Sequence, residues 1–441
     1  MLLVTGLVTA MAHVGSVPAA ATAPQRTATE PPKEVITDFA DPEVIQVGAT
    51  TYAYSTSSSR GTVPVASAPS ASGPWTMRGD ALPTKPSWAK EEGGFWAPDV
   101  SRRADGQYLM YFTAPSAANP YMCIGAALST GPLGPFRPIG GGPLVCDPRE
   151  GGDIDAASFV DNDGKRYLLY KSDGNALNNG TPSIIWLQEV NADGITFVGP
   201  RRELIRNGQV AENGVIEAPV LIKRPTQYVL FYSGGSYCGD DYFTGYAVSS
   251  SLAEPFSKAY RPLMTTETVD GAVRGPGGAD VLGDHVFVHG WVGECPGEGT
   301  RSTYTAELGW ANDRPVVRGS RVRYEAERGV LNHAEVRTGA AGASQDAVVA
   351  KLDYQDSWVD IQVFAPAAGH YTAHVGYAAG GGDAQHIVTV NGTTQFVLNY
   401  PAHGWDDWRQ VPATIGLNRG WNTLRFQHHS RWAELDYVEI A

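Results

Sequence analysis

Five acidic side chains recur along the first two thirds of the chain: Asp41, Asp99, Asp155, Glu217 and Asp280, separated by 58, 56, 62 and 63 residues. Each stands just before an apolar run, a turn and a Tyr-rich segment: ADPEVIQVGATTYAY, APDVSRRADGQYLMYF, IDAASFVDNDGKRYLLY, IEAPVLIKRPTQYVLFY and the degenerate GADVLGDHVFVHG. Carboxylates brought together in a cleft repel and shift one another's pKa, a poor structural device. They suit chemistry that needs one ionised and one protonated carboxyl group around a single bond, such as glycoside hydrolysis.

Such convergence requires repeats that share an axis. Each copy reads as an alternating strand, a turn and an aromatic strand. A period of about 60 residues suits a four-stranded antiparallel unit. Five units closing a ring predict a five-bladed β-propeller over 35–318, with the starts of the inner strands on one face. A β-sandwich with accidental similarity is the competing architecture. The repeats stop near Arg314, and short strands with Gly turns but no blade pattern run from Arg323 to the end. This predicts a β-sandwich (jelly roll) over 322–441, so the chain is all-β throughout.

Composition agrees. Charged residues make 18%, aromatics 10%, and net charge is -13. The acidic balance argues against a nucleic-acid partner and against docking on anionic lipid. The opening MLLVTGLVTAMAHVGSVPAAATA, without a basic n-region, reads as a secretory signal peptide over 1–23 with a small-residue site at Ala21–Ala23; a membrane anchor is the alternative. Residues 24–34 read as a flexible leader. A secreted, extracellular chain meets oxidising conditions, so its four cysteines predict two disulfides. Three pairings are possible; Cys123–Cys146 and Cys238–Cys295 are favoured because each ties neighbouring loops. No CxxC spacing supports zinc.

Four strings, in order and in register with the repeats, resemble glycoside hydrolase family 43: ADPEVI at Ala40, WAPDV at Trp96, IDAASF at Ile154 and IEAPVLI at Ile216. The resemblance implies an inverting glycosidase on plant cell-wall polysaccharide, with α-L-arabinofuranosidase ahead of β-xylosidase, endo-arabinanase and galactofuranosidase. It implies Asp41 as general base, Glu217 as general acid with a pKa raised by burial and Asp155, and Asp155 as modulator. Inversion requires about 6.5–9.5 Å between acid and base. Trp96 and Arg274 are expected to contact the sugar. Asp99 is read as structural, bonding backbone amides. Where the family commonly has GPGH, this chain has GPGG at Gly275, and His289 becomes the candidate for a central metal site.

YEAERG at Tyr324 and ELDYVEI at Glu434 resemble the ends of carbohydrate-binding modules of families 6 and 35. This implies a structural calcium on Glu325, Glu327 and Asp436, oxygen ligands of the kind calcium takes; no cofactor is expected for the chemistry. Tyr354, Trp358, Trp405 and Trp432 are candidate sugar platforms, while Trp408 is expected to pack inside. Glu434 and Leu435 replace the asparagine usual before the last strand. A non-catalytic glycan-binding lectin is the reading from another class; it would not need base, acid and modulator together.

Overall fold

The computed structural model describes residues 30–441, so the expected signal peptide and residues 24–29 of the leader lie outside the described residues. Strand makes up just over half of the described residues, and helix among them is confined to single 3-10 turns. Among the described residues no strand pairing joins residues before 318 to residues after 321.

Five antiparallel sheets follow one another in the first part. Their opening strands are Glu43–Val47, Trp96–Arg102, Asp153–Val160, Ile216–Lys223 and Gly277–Leu282. These strands contact one another cyclically, the fifth returning to the first. The aromatic second strands, such as Tyr108–Pro115 and Tyr228–Gly234, are buried along their length because sheets pack on both faces. Lys33–Ile36 pairs with Thr300–Ala311 and completes the fifth sheet. The last residues of the expected flexible leader are thus the strand that joins the chain's beginning to its last repeat.

Four opening strands carry a register shift at the same place: between Trp96 and Asp99, Ile154 and Ala157, Glu217 and Val220, and Gly277 and Asp280. Within each lies one left-handed residue, Ala97 (φ 38), Asp155 (φ 54), Ala218 (φ 53) and Gly278 (φ 57); Asp41 (φ 49) is its counterpart ahead of the first strand. A bulge re-aims side chains at a strand's edge. Aspartate tolerates the left-handed region better than most residues, which suits Asp41 and Asp155.

This register corrects the alignment read from the sequence. The five acidic residues are not equivalent. Asp41 and Asp155 occupy the left-handed position, Glu217 stands one residue before it, and Asp99 and Asp280 stand two after it, level with Glu43. The latter bond the next sheet. Asp99 accepts from the Ser158 amide at 2.9 Å and the Ser158 hydroxyl at 2.6 Å, while Asp280 accepts from the Val44 amide at 2.6 Å. Asp99 therefore does what was expected of it.

Residues 322–441 form two antiparallel sheets over one apolar core, in which Val359, Ile361, Val363, Tyr371, Val375, Phe426 and Val438 are buried. Strand Trp358–Ala365 alternates buried and open positions, the period of a sheet with one face in the core. Arg321 ties the two parts together through Asp270 on the ring side and Glu439 on the other. Both disulfides form as favoured, Cys123–Cys146 and Cys238–Cys295. Among the described residues no helix is long and apolar enough to cross a membrane.

Candidate active site

Asp41 enters the ring axis from the left-handed turn before the first strand. Oδ1 lies 2.9 Å from the Arg301 guanidinium and 3.0 Å from His289 Nδ1; Oδ2 accepts from the Thr56 hydroxyl at 2.5 Å. Burial pushes this carboxyl upward, but Arg301, His289 and Thr56 together overcome it and hold Asp41 well below the usual carboxylate range. Taking a carboxylate out of water costs several kcal/mol; one close guanidinium returns about 4 kcal/mol at an effective dielectric near 20. The two added hydrogen-bonding partners tip the balance. Thr56 also accepts from the Ala97 amide at 2.9 Å, fixing the first sheet's turn against the second.

Glu217 is held from two sides. Lys171 Nζ lies 2.9 Å from Oε2, and the Tyr242 hydroxyl donates to Oε1 at 2.8 Å. Lys171 is buried yet charged: desolvation lowers its pKa, but the carboxylates of Glu217, Asp173 and Asp155 more than reverse that. It pairs with Asp173 at 2.8 Å as well. Asp155 Oδ2 accepts from the Ala218 amide at 3.0 Å, next to Glu217 in the chain. Burial first, then the charge of Glu217 and more distantly of Asp41, pushes Asp155 up to about 8 against the pull of Lys171.

The two acidic ends are linked through rings. Tyr242 stacks on His289 with centroids 5.7 Å apart and planes at 16°. The GPGG segment makes this possible. A Cβ at Gly277 would sit 2.0 Å from the Tyr242 ring, and one at Gly278 would sit 2.6 Å from His289 Nδ1 and 3.1 Å from Asp41 Oδ1. His289, on the neighbouring strand opposite Gly277, thus fills space next to Asp41 that a side chain at 278 would otherwise take. Asp41 and Asp155 also line a cavity of about 40 Å3 between the opening strands, with Glu43, Asp99 and Asp280 farther along its wall.

Two expectations are corrected. Arg274 does not reach the carboxylates: it pairs with Asp240 and donates to the Gly293 carbonyl at 2.9 Å, bracing the loops that Cys238–Cys295 crosslinks. Arg301 stands beside Asp41 instead, with the Tyr237 and Trp291 rings 5.5 and 5.9 Å from its guanidinium. Nor does His289 fit a metal. Its Nδ1 is occupied by Asp41, 3.0 Å from the carboxylate and 3.2 Å from the amide nitrogen, and its Nε2 lies 3.4 Å from the cationic Arg301. Trp96 opens the second sheet with its ring partly exposed, packed against Gly94.

With this geometry in place, comparison with known proteins is decisive. Residues 33–313 match the glycosyl hydrolases family 43. The chain belongs to that family. Residues 322–441 match carbohydrate binding module family 35, and the likeness to family 6 is not borne out. The family 43 chain is 28% identical over 202 residues to β-D-galactofuranosidase xynD of Aspergillus niger, covering 42% of this chain and 54% of that one. It is 30% identical over 182 residues to a probable arabinan endo-1,5-α-L-arabinosidase C of Aspergillus flavus, covering 40% and 53%. The chain thus spans about half the length of the curated relatives it matches. Among solved structures, a thermostable family-43 glycoside hydrolase superposes with a TM-score of 0.57 at 29% identity, covering 66% of this chain and 96% of that one. An exo-β-1,3-galactanase from Phanerochaete chrysosporium (TM-score 0.51, 20% identity) covers 94% of this chain and all of its own, a likeness of fold across both parts.

In the family 35 module, Trp405 and Trp432 stack on each other with centroids 6.2 Å apart and both stay exposed, at 42% and 49%. Gly380 lets the Trp405 indole lie on the backbone, since a Cβ there would stand 2.4 Å from it. Tyr354 is exposed and Trp358 is covered by the Arg425 guanidinium at 3.8 Å. Trp408 is only half-buried, its indole N–H donating to the Ala341 carbonyl at 3.0 Å, and is not in the core. Glu434, in place of the usual asparagine, is paired with Arg337. Glu325 accepts from Ser344 and Gln345 through Oε1, and Asp436 accepts from the Ser344 amide. Glu325 Oε2 and Glu327 Oε2 are buried with no partner. Among the described residues no three His, Cys, Asp or Glu side chains already stand as a metal cluster.

Proposed function

We propose that this chain is a secreted, inverting glycosidase of plant cell-wall polysaccharide, acting as an α-L-arabinofuranosidase through a five-bladed propeller (33–317), with the 322–441 β-sandwich as its sugar-binding module. The observation that carries the reading is the pairing of an Asp41 held ionised by Arg301 with a Glu217 gripped by Lys171 and Tyr242, Asp155 bonding the Ala218 amide next to Glu217. The relatives named for arabinan and for galactofuranose support a furanoside substrate.

Asp41 takes the proton of a water attacking the anomeric carbon; its low pKa keeps the base form available at mildly acid pH. Glu217 gives a proton to the leaving oxygen. Asp155, bonded to the Ala218 amide, fixes the backbone under Glu217. Trp96 offers an apolar face at the mouth, and Trp405 with Trp432 a platform for polymer. The unpartnered oxygens of Glu325 and Glu327 fit a hard cation, so these two with Asp436 would hold a structural calcium.

The test is a panel of 4-nitrophenyl α-L-arabinofuranoside, β-D-galactofuranoside and β-D-xyloside, together with linear arabinan, with proton NMR of the first product anomer. Asp41→Asn and Glu217→Gln should each lower kcat by about 10³-fold or more. Turnover confined to the galactofuranoside would move the substrate assignment. A retained anomer, or near-normal turnover in either variant, would overturn the mechanism. Chelation followed by calcium addition should lower and then restore the thermal midpoint.

A further inference from the structure

Glu217 meets its two partners on different terms. Lys171 carries only donors; it is buried, facing Oε2 at 2.9 Å with Asp173 at 2.8 Å. Tyr242 is as deeply buried, and its hydroxyl faces Oε1 at 2.8 Å. A phenol can both give and take a hydrogen bond, and this one has a second neighbour. Ser233, fully buried on the strand opposite Glu217, also hydrogen-bonds it. The Ser233 hydroxyl oxygen in turn accepts from the Gly278 amide at 2.8 Å.

The Gly278 amide sets the direction of this chain, because an N–H only donates. Ser233 Oγ takes that hydrogen, so its own hydrogen turns to the Tyr242 oxygen, and the Tyr242 hydrogen turns to Glu217 Oε1. Every hydrogen points toward the acid. Burial first, then the charges of Glu217 and Asp41, push the phenol well above its usual range, so Tyr242 stays a donor. Hydrogen bonds aligned in one sense polarise one another. A bond accepted by a carboxylate is roughly twice as strong as one between neutral partners. The chain therefore tightens as Glu217 passes from acid to carboxylate, and an interaction that strengthens during the transfer lowers its barrier. Each carboxyl oxygen has two acceptor positions, which leaves room for the proton that Glu217 must carry.

We propose that Ser233 and Tyr242 are positioning residues of the general acid, a buried one-way chain from the Gly278 amide that orients Glu217 and stabilises the carboxylate it becomes. This role rests on Glu217 being the acid of the proposed reaction. In that step the Glu217 O–H bond breaks and its proton goes to the leaving oxygen, which keeps the electron pair of the cleaved C–O bond. Asp41 takes the proton of the attacking water, and no proton leaves Ser233 or Tyr242. Gly278 also stands against His289 and Asp41, so one turn of the fifth sheet is in touch with base and acid alike.

Tyr242→Phe keeps the ring on His289 and removes only the hydroxyl; Ser233→Ala removes the link behind it. Both are assayed in the full chain with phenyl and 4-nitrophenyl α-L-arabinofuranosides, or with the corresponding β-D-galactofuranosides if that is the sugar turned over. Phenol is the poorer leaving group and depends more on the acid's proton. Tyr242→Phe should lower kcat about ten- to a hundred-fold on the phenyl glycoside, far less on the 4-nitrophenyl glycoside, with KM little changed. Ser233→Ala should show the same pattern with a smaller loss, and should add little in the Tyr242→Phe background. The ratio between two substrates on one preparation does not depend on how much of a variant is folded. Parent-like kcat on the phenyl glycoside, equal losses on both glycosides, or additive effects of the two substitutions would overturn the proposal. Glu217→Gln separates the two levels. If its loss depends on the leaving group and that of Tyr242→Phe does not, only the chain of hydrogen bonds fails; if its own loss shows no such dependence, the assignment of the acid fails as well.

Discussion

Arg301 shows why Asp41, the proposed base, cannot be understood from its own neighbours in sequence. It stands 260 residues from Asp41 and reaches it only because the fifth sheet closes against the first. Its charge does most to offset the burial that pushes the Asp41 carboxyl upward. The acid limb of the kcat/KM profile reports the pKa of a base in the free enzyme. With Asp41 held low, that limb lies below the ordinary carboxylate range in the parent. Arg301→Gln should move it upward by about one pH unit or more, while Arg301→Lys should restore part of the shift. A profile that loses height without moving would assign Arg301 a purely structural role. Gly278 makes a second prediction at this scale. A methyl group there meets His289 and Asp41 on a left-handed backbone, so Gly278→Ala should cost about ten-fold or more in kcat by displacing the base. Binding of substrate analogues, followed by calorimetry, should change less.

At the scale of the strand, the repeated bulge is the device that sorts the acidic residues. It presents the left-handed residue of each unit to the axis and turns the residue two positions on toward the next sheet. Asp41 and Asp155 become site carboxylates, whereas Asp99 and Asp280 become links between sheets. Cutting such a link leaves a buried amide unsatisfied, which costs about 1–3 kcal/mol. Asp99→Ala removes two bonds to Ser158, so urea unfolding should show a loss of about 2–3 kcal/mol with the active-site pH profile unmoved. A profile shift in that variant would mean that Asp99 feeds the chemistry after all.

Over the whole molecule, covalent and electrostatic features act on different parts. Cys238–Cys295 spans 57 residues and joins loops of the fourth and fifth sheets. The chain-entropy model assigns a closure of this length about 4 kcal/mol. The Cys238→Ser/Cys295→Ser variant should lose about that much stability in denaturant, together with activity, because the crosslinked loop bearing Tyr237 and the strand end bearing Trp291 flank Arg301. The C-terminal module carries its own pH sensitivity. His386 is buried opposite His428, and burial first, then His428, lowers its pKa from 6.5 to about 3. The unfolded chain takes up a proton that the folded module resists. The contribution of His386 is therefore fully present above pH 6.5 and is lost as pH drops through 6.5 toward 3. Asp436, whose carboxyl burial pushes up to about 7, acts with the opposite sign over the same range, so the readout is the difference between proteins: from pH 7 to pH 4.5 the melting of the parent should fall relative to that of His386→Asn.

The residues alone determine much of this protein. A repeat of about 60 residues with aromatic second strands is visible without a structure, because burial on both faces of a strand demands continuous apolar side chains. The order of ADPEVI, WAPDV, IDAASF and IEAPVLI placed Asp41, Asp155 and Glu217, and loop adjacency was enough to favour both disulfides. What depends on closure was hidden. Arg301, Lys171, Tyr242 and Thr56 lie in no motif and acquire their roles only when five sheets meet, since an ion pair or a stacked ring is set by distance in space. The same reason misled the expectation for Arg274, whose place beside a Gly-rich turn pointed inward until Asp240 and Gly293 proved to hold it at the rim. Equal spacing of acidic residues also concealed their inequality, for a bulge shifts register by one or two positions and sends neighbouring side chains to different partners.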